Sequence, residues 1–173
     1  MTTVTVRDTT PRAWVGCLGC YNSGALVGKW LDGETCADLE SAGLADSAGK
    51  CIRCVSDEFW VMDHENYLGA LKGECSPSEA QEIAESLASV PDYEREILSA
   101  WLSNGMDFDL DEMRECYIGE FPSDEAMAEE YAENCDLLSA IPESLRYYFD
   151  FNSYARDLMH DMFEADGHYF MSR

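Results

Sequence analysis

The sequence predicts an α+β fold. Three observations predict it. Short apolar runs separated by a turn dominate the N-terminal part, strongly capped amphipathic stretches fill the middle, and helix-like and strand-like runs alternate toward the C-terminus. The 173 residues suffice for one or two conventional cores. Apolar residues make up 46% and aromatics 12%, with four Trp and nine Tyr. That is core-forming material, which excludes a disordered acidic chain.

In order, residues 13–18 read as a strand. Tyr21-Asn22-Ser23-Gly24 reads as a turn, because Asn and Gly tolerate φ > 0, and residues 25–31 read as the returning strand. Thr35 followed by Asp38 signals a short helix. Gly, Ser and Ala across 41–49 give a loop, and residues 59–62 a third strand. Ser76-Pro77-Ser78-Glu79 is a capping box with Pro at the first helical position. Ala80, Ile83, Ala84, Leu87 and Ala88 then share one helix face. A second helix runs from near Pro91 to about Ser103, with Tyr93, Ile97, Leu98 and Trp101 as its apolar face and Gly105 as a stop. Residues 109–115 read as a short helix and 116–121 as a strand. The longest acidic stretch, 123–138, reads as a helix with Ser123 as N-cap.

Asp and Glu number 35 against 11 Lys and Arg, a net charge of −24. On a folded chain this adds self-repulsion that a fold does not require. Halophilic adaptation explains such charge without function; a basic partner explains it with one. Nucleic acid and anionic membranes are disfavoured as direct partners. The charge is uneven. Residues 1–68 carry −5, residues 69–108 carry −6 and residues 109–173 carry −13. These ranges give an N-terminal α+β part, a helical middle and an acidic α+β C-terminal part. Residues 1–16 lack an apolar core of signal-peptide length and no run reaches transmembrane length. The cytoplasm is therefore the expected location, and the eight cysteines are expected as reduced thiols or metal ligands.

On the acidic helix, Glu125, Glu129, Glu133 and Asp136 fall on one side, opposite Met127, Ala128, Tyr131, Ala132, Cys135 and Leu138. Four carboxylates over about 16 Å of helix give about 4 Å per charge, against roughly 3.4 Å of axis per phosphate on one DNA strand. No basic i+4 partner relieves them. By the same reckoning, 24 charges match about 40 Å of duplex, or about 12 base pairs. Display of carboxylates where DNA displays phosphates is the reading that joins these features. Asp124, Glu130, Asp109, Asp111, Glu112 and Glu115 extend the candidate set.

Trp14-Val15-Gly16-Cys17-Leu18, Tyr21-Asn22-Ser23-Gly24 and Gly28-Lys29-Trp30 open an ordered series. It continues through Trp60-Val61-Met62-Asp63-His64-Glu65, Gly119-Glu120-Phe121 and Glu129-Glu130-Tyr131-Ala132-Glu133. It ends with residues 141–150, IPESLRYYFD, and 154–158, YARDL. This series resembles ArdA antirestriction proteins over nearly the whole chain. The resemblance implies a cytoplasmic inhibitor encoded by mobile DNA, with no enzymatic chemistry and no required cofactor. It implies an elongated, curved homodimer of three small domains per subunit, here 1–68, 69–108 and 109–173. The implied partner is a type I restriction-modification enzyme, whose DNA groove on the methyltransferase core the dimer occupies. The family's antirestriction motif falls at about 124–136, and its dimer contacts on Leu145, Tyr147 and Tyr148. A DNA mimic aimed at another DNA-binding system, such as CRISPR, and a zinc-bearing acidic interaction module are the alternatives.

Cys17-Leu18-Gly19-Cys20 and Cys51-Ile52-Arg53-Cys54 form two CxxC pairs, with Cys36 between them. Paired CxxC motifs are a structural zinc signature. Free, packed thiols are the competing reading, because strand alternation would send Cys17 and Cys20 to opposite faces unless the chain turns. Asp63-His64-Glu65 reads as an edge-strand polar triplet rather than a base or ligand set. His160, Asp161 and His168 lack tight ligand spacing. There is no P-loop, GxGxxG or GxSxG.

Overall fold

A computed structural model of the protein describes residues 9–172. The fold is α+β, with two small antiparallel sheets and, among the described residues, seven α-helices. Contacts divide the chain into two compact units, Met1–Asp92 and Tyr93–Arg173.

The first unit is built on β1 (Arg12–Cys17), β2 (Gly28–Asp32) and β3 (Phe59–Glu65), in the order β2-β1-β3. The central strand buries Ala13, Val15 and Cys17 completely, as strand alternation requires. Trp14 pairs with Trp30 on one side, and Ala13 with His64 on the other. The turn between β1 and β2 differs from expectation. Tyr21 and Asn22 lie in α1 (Leu18–Asn22), and the reversal comes after them, with Gly24 at φ +80. Strand β2 consequently starts at Gly28. A Cβ there would sit 2.5 Å from the Val15 carbonyl oxygen, so only glycine admits this approach.

The short helix expected at Thr35 is a 3-10 turn, Gly33–Thr35, and Asp32 caps it instead. The segment from there to β3 is mostly irregular, with an isolated bridge between Ala45 and Cys51. Helix α2 (Pro77–Ala88) begins where the capping box places it, with Ser76 Oγ accepting the Glu79 N–H at 3.2 Å. Ala80, Ala84 and Leu87 are buried, whereas Ala88 is exposed and Ile83 half-buried. The Ala37 N–H donates to Gln81 Oε1 and the Cys36 thiol to the Pro77 carbonyl, which ties the irregular segment to α2.

The second unit contains α3 (Asp92–Ser103), α4 (Leu110–Cys116), β4 (Tyr117–Glu120), α5 (Asp124–Asn134), α6 (Glu143–Arg146), α7 (Phe151–Leu158), β5 (Met162–Ala165) and β6 (His168–Met171). Its sheet order is β4-β6-β5. Leu98 and Trp101 of α3 are buried as expected, and Gly105 takes φ +85 at the stop. Tyr93, assigned to the same apolar face, is exposed instead. It stands on the first turn of the helix, ahead of its buried face. Trp101 packs on Phe163 and Phe170, and its indole N–H donates to the Asp107 carbonyl at 2.9 Å.

The β5–β6 hairpin turns on Asp166 (φ 51) and Gly167 (φ 83). Two successive positive φ values make the two-residue turn whose twist suits paired strands. The sheet buries Met162 and Tyr169 against Met127 of α5.

Candidate functional site

Helix α5 carries more carboxylates than any other helix among the described residues. Ser123 Oγ accepts the Ala126 N–H, and Asp124 and Glu125 occupy the first turn, where the helix dipole favours anions. Met127, Ala128 and Ala132 are buried, so the opposite face must be displayed. Five carboxylates stand on eleven residues with no basic residue among them. Glu129, Glu130 and Glu133 are exposed, as are Asp124 and Glu125.

One member of the expected ladder leaves the helix. Helix α5 ends at Asn134, and Asp136 adopts a left-handed conformation, φ 52, before a 3-10 turn that carries Leu138. The one-face ladder is therefore Glu125, Glu129 and Glu133, spaced about 6 Å in rise. The expected one-face match to the phosphate repeat is not kept, and the five helical carboxylates stand around the helix rather than in a single row.

Two of the five are anchored. Tyr169 donates its hydroxyl to Asp124 at 2.7 Å, and burial and that carboxylate both raise the phenol above its ordinary range. Asn152 of α7 donates to Glu125 Oε1 at 2.9 Å. These bonds hold the first turn of α5 against β6 and α7. They also frame an open groove whose lining includes Glu120, Asp124, Glu125 and Glu164. Glu120 and Glu164 were not singled out from sequence. They lie far apart in the chain and converge only because β4 and β5 both pair with β6.

The carboxylates around α4 are differently employed. Asp109 caps the helix, accepting the N–H groups of Asp111 and Glu112. Asp111 lies 3.6 Å from Arg114, which also makes a 2.7 Å ion pair with Glu94. Glu112 is half-buried and Glu115 exposed. This helix offers charge already offset by a cation, unlike α5.

Leu145, Tyr147 and Tyr148 are exposed by 53, 92 and 77%. The two tyrosine rings meet edge to face at 5.6 Å. Exposed aromatics clustered this way commonly mark contact surfaces.

The four CxxC cysteines converge. Their Sγ atoms all lie within 4.8 Å of one another, and Cys17, Cys20 and Cys51 are buried. Strand alternation does not separate Cys17 from Cys20, because α1 starts immediately after Cys17 and turns Cys20 back toward it. The Cys20 N–H points at Cys17 Sγ at 3.4 Å, and the Arg53 N–H at Cys51 Sγ at 3.5 Å. Burial raises the Cys51 thiol, but the N–H groups of Arg53 and Cys54 together with the Cys17 and Cys54 thiols outweigh it and bring it down to about 7. Burial holds Cys17, and the Cys54 hydrogen bond with burial holds Cys20, above the ordinary thiol value. Cys36 is occupied with the Pro77 carbonyl.

The other polar groups behave as structure. Strand β3 is an edge strand, as read for Asp63-His64-Glu65. Glu65 pairs with Arg12 at 3.3 Å and His64 stacks edge-on against Tyr67. His168 is buried within hydrogen-bonding distance of the Tyr117 hydroxyl, while His160 is exposed. No helix among the described residues is long and apolar enough to cross a membrane.

Among known families, a model described as antirestriction protein (ArdA) matches residues 13–171. A search of the curated proteins returns no match.

Proposed function

The chain belongs to the ArdA family of antirestriction proteins, and from that premise we propose that it inhibits type I restriction-modification enzymes as a DNA mimic. The observation that carries the mechanism is α5: five exposed carboxylates on eleven residues, with no basic residue among them. The partner surface is the DNA groove of the methyltransferase core, where basic side chains await phosphates. Binding is stoichiometric competition. No bond is made or broken, so inhibition follows occupancy alone.

The charge spread extends this reading beyond one helix. A net −24 corresponds to about 12 base pairs of duplex charge, and a homodimer to about 24. A homodimer through Leu145, Tyr147 and Tyr148 agrees with their exposure. In the family's three-domain arrangement the boundaries near 68 and 108 fall in the loops between β3 and α2 and between α3 and α4. Exposed acidity on this scale steers association with a basic groove and makes it salt-sensitive.

Titration of the purified protein against a type I enzyme tests the proposal. Methylation and cleavage are both expected to stop near one dimer per DNA site at about 50 mM salt. The inhibition should weaken by an order of magnitude or more at about 200 mM. Full activity at several-fold molar excess in low salt would remove type I enzymes as the target. The same titration on a CRISPR nuclease then tests the nearest other mimicry target.

A further inference from the structure

The convergence of two CxxC turns is not accounted for by the display of carboxylates. We propose that Cys17, Cys20, Cys51 and Cys54 bind one structural zinc ion as a tetrathiolate site. A zinc ion with four sulfurs at about 2.3 Å places those sulfurs roughly 3.8 Å apart. Here Cys17 and Cys54 are separated by 3.4 Å, Cys20 and Cys51 by 3.9 Å, and all pairs lie within 4.8 Å. The four thiols therefore already sit at about the separations that one zinc ion requires.

The surrounding backbone is shaped for the same ion. In each turn an N–H of the CxxC segment points at the sulfur of its first cysteine. Such bonds stabilise thiolate charge and orient the ligand, as outer contacts of metal sites do. Gly19 allows the two turns to meet. A Cβ at this position would lie 2.7 Å from Ser56 Cβ and 3.4 Å from Cys54 Sγ. Val55, directly after Cys54, holds φ 54, a conformation that a β-branched residue avoids. Strain of that kind persists where the surroundings over-determine the chain. A metal holding Cys54 supplies that constraint.

The site is of the structural kind. All four positions are protein sulfurs, three of them buried, so no position is left open for a substrate or water. What it fastens is the irregular segment before β3. Between the 3-10 turn at Gly33–Thr35 and Phe59, backbone pairing between strands is limited to the Ala45–Cys51 bridge among the described residues. The ion would clamp the end of that segment to the end of β1. A tetrathiolate zinc centre carries two negative charges, so it adds to the acidity of the chain.

The test uses the full chain purified under reducing conditions. Native mass spectrometry is expected to show one zinc per chain, and X-ray absorption four sulfur neighbours at about 2.3 Å. A strong chelator should lower the melting temperature by roughly 10 °C. Cys20→Ser and Cys54→Ser should lose the ion, while Cys36→Ser and Cys135→Ser should keep it. Should the ligand variants fail to fold, cobalt substitution of the native chain decides, through the visible bands of a tetrahedral cobalt thiolate. A metal-free mass with four alkylatable thiols, two disulfides within the cluster, or iron in place of zinc would each overturn the assignment. Zinc content is read without any restriction assay, so this outcome stands apart from the inhibitory function.

Discussion

Glu94 and Arg114 show how a single pair operates in so acidic a chain. Arg114 donates from Nε at 3.2 Å and from Nη2 at 2.7 Å to one Glu94 oxygen. The hydrogen bond from Arg114, reinforced by its charge, lowers the Glu94 carboxyl below its ordinary range. The folded chain therefore releases this proton more readily than the unfolded chain. The stabilisation is complete above the ordinary glutamate value, about 4.3, and is lost as pH falls through the folded value below it. Glu94→Gln is expected to flatten the acid arm of the stability curve in that window and to lower stability at neutral pH. A variant with an unchanged acid arm, measured by urea denaturation across pH, would show that the pair contributes nothing. Asp136 shows the limit of residue-level reasoning. It belongs to the acidic face by helical arithmetic and leaves that face because the helix stops two residues earlier.

At the scale of the element, α5 concentrates two opposing demands. Its buried side, Met127, Ala128 and Ala132, fixes its orientation. Its exposed side places Glu125, Glu129 and Glu133 at i,i+4 spacing, where like charges repel by tenths of a kcal/mol per pair. Replacing all three by Gln removes three charges and keeps the Glu125 side-chain oxygen that accepts from Asn152. The triple variant is expected to melt at the same temperature or slightly higher. Its inhibition in low salt should fall about ten-fold, the sum of three modest surface contributions. Undiminished inhibition by a folded triple variant would sink α5 as the contact element. The β5–β6 hairpin shows the converse case. Asp166-Gly167 between short apolar runs is a strong hairpin signal, legible in the sequence and absent from the elements assigned there.

At the scale of the whole molecule, the proposed dimer makes a separate demand. Leu145, Tyr147 and Tyr148 contribute exposed apolar surface, so truncating them should leave the monomer fold intact. The triple alanine variant is expected to sediment as a 19.4 kDa species while the native chain sediments at twice that mass. A native chain that is monomeric at micromolar concentration removes this interface, and with it the 24-base-pair estimate. Inhibition by the monomeric variant should be weaker, because two half-length mimics bind independently where one dimer bound as a unit.

Composition and local pattern by themselves determined the fold class, the acidity, the first strand to within a residue at each end and the cap-defined starts of α2 and α5. Those features depend on charge count, period and cap chemistry, which are local. The ordered motifs from Trp14 to Leu158 pointed to the family that the match over residues 13–171 then showed. Only the tertiary structure decided the rest. It stopped α5 before Asp136, brought Glu120 and Glu164 beside Asp124 through strand pairing, and turned two CxxC segments into one cluster of sulfurs. The last two depend on contacts between residues distant in the chain, and spacing along a sequence carries no measure of distance once the chain turns back on itself.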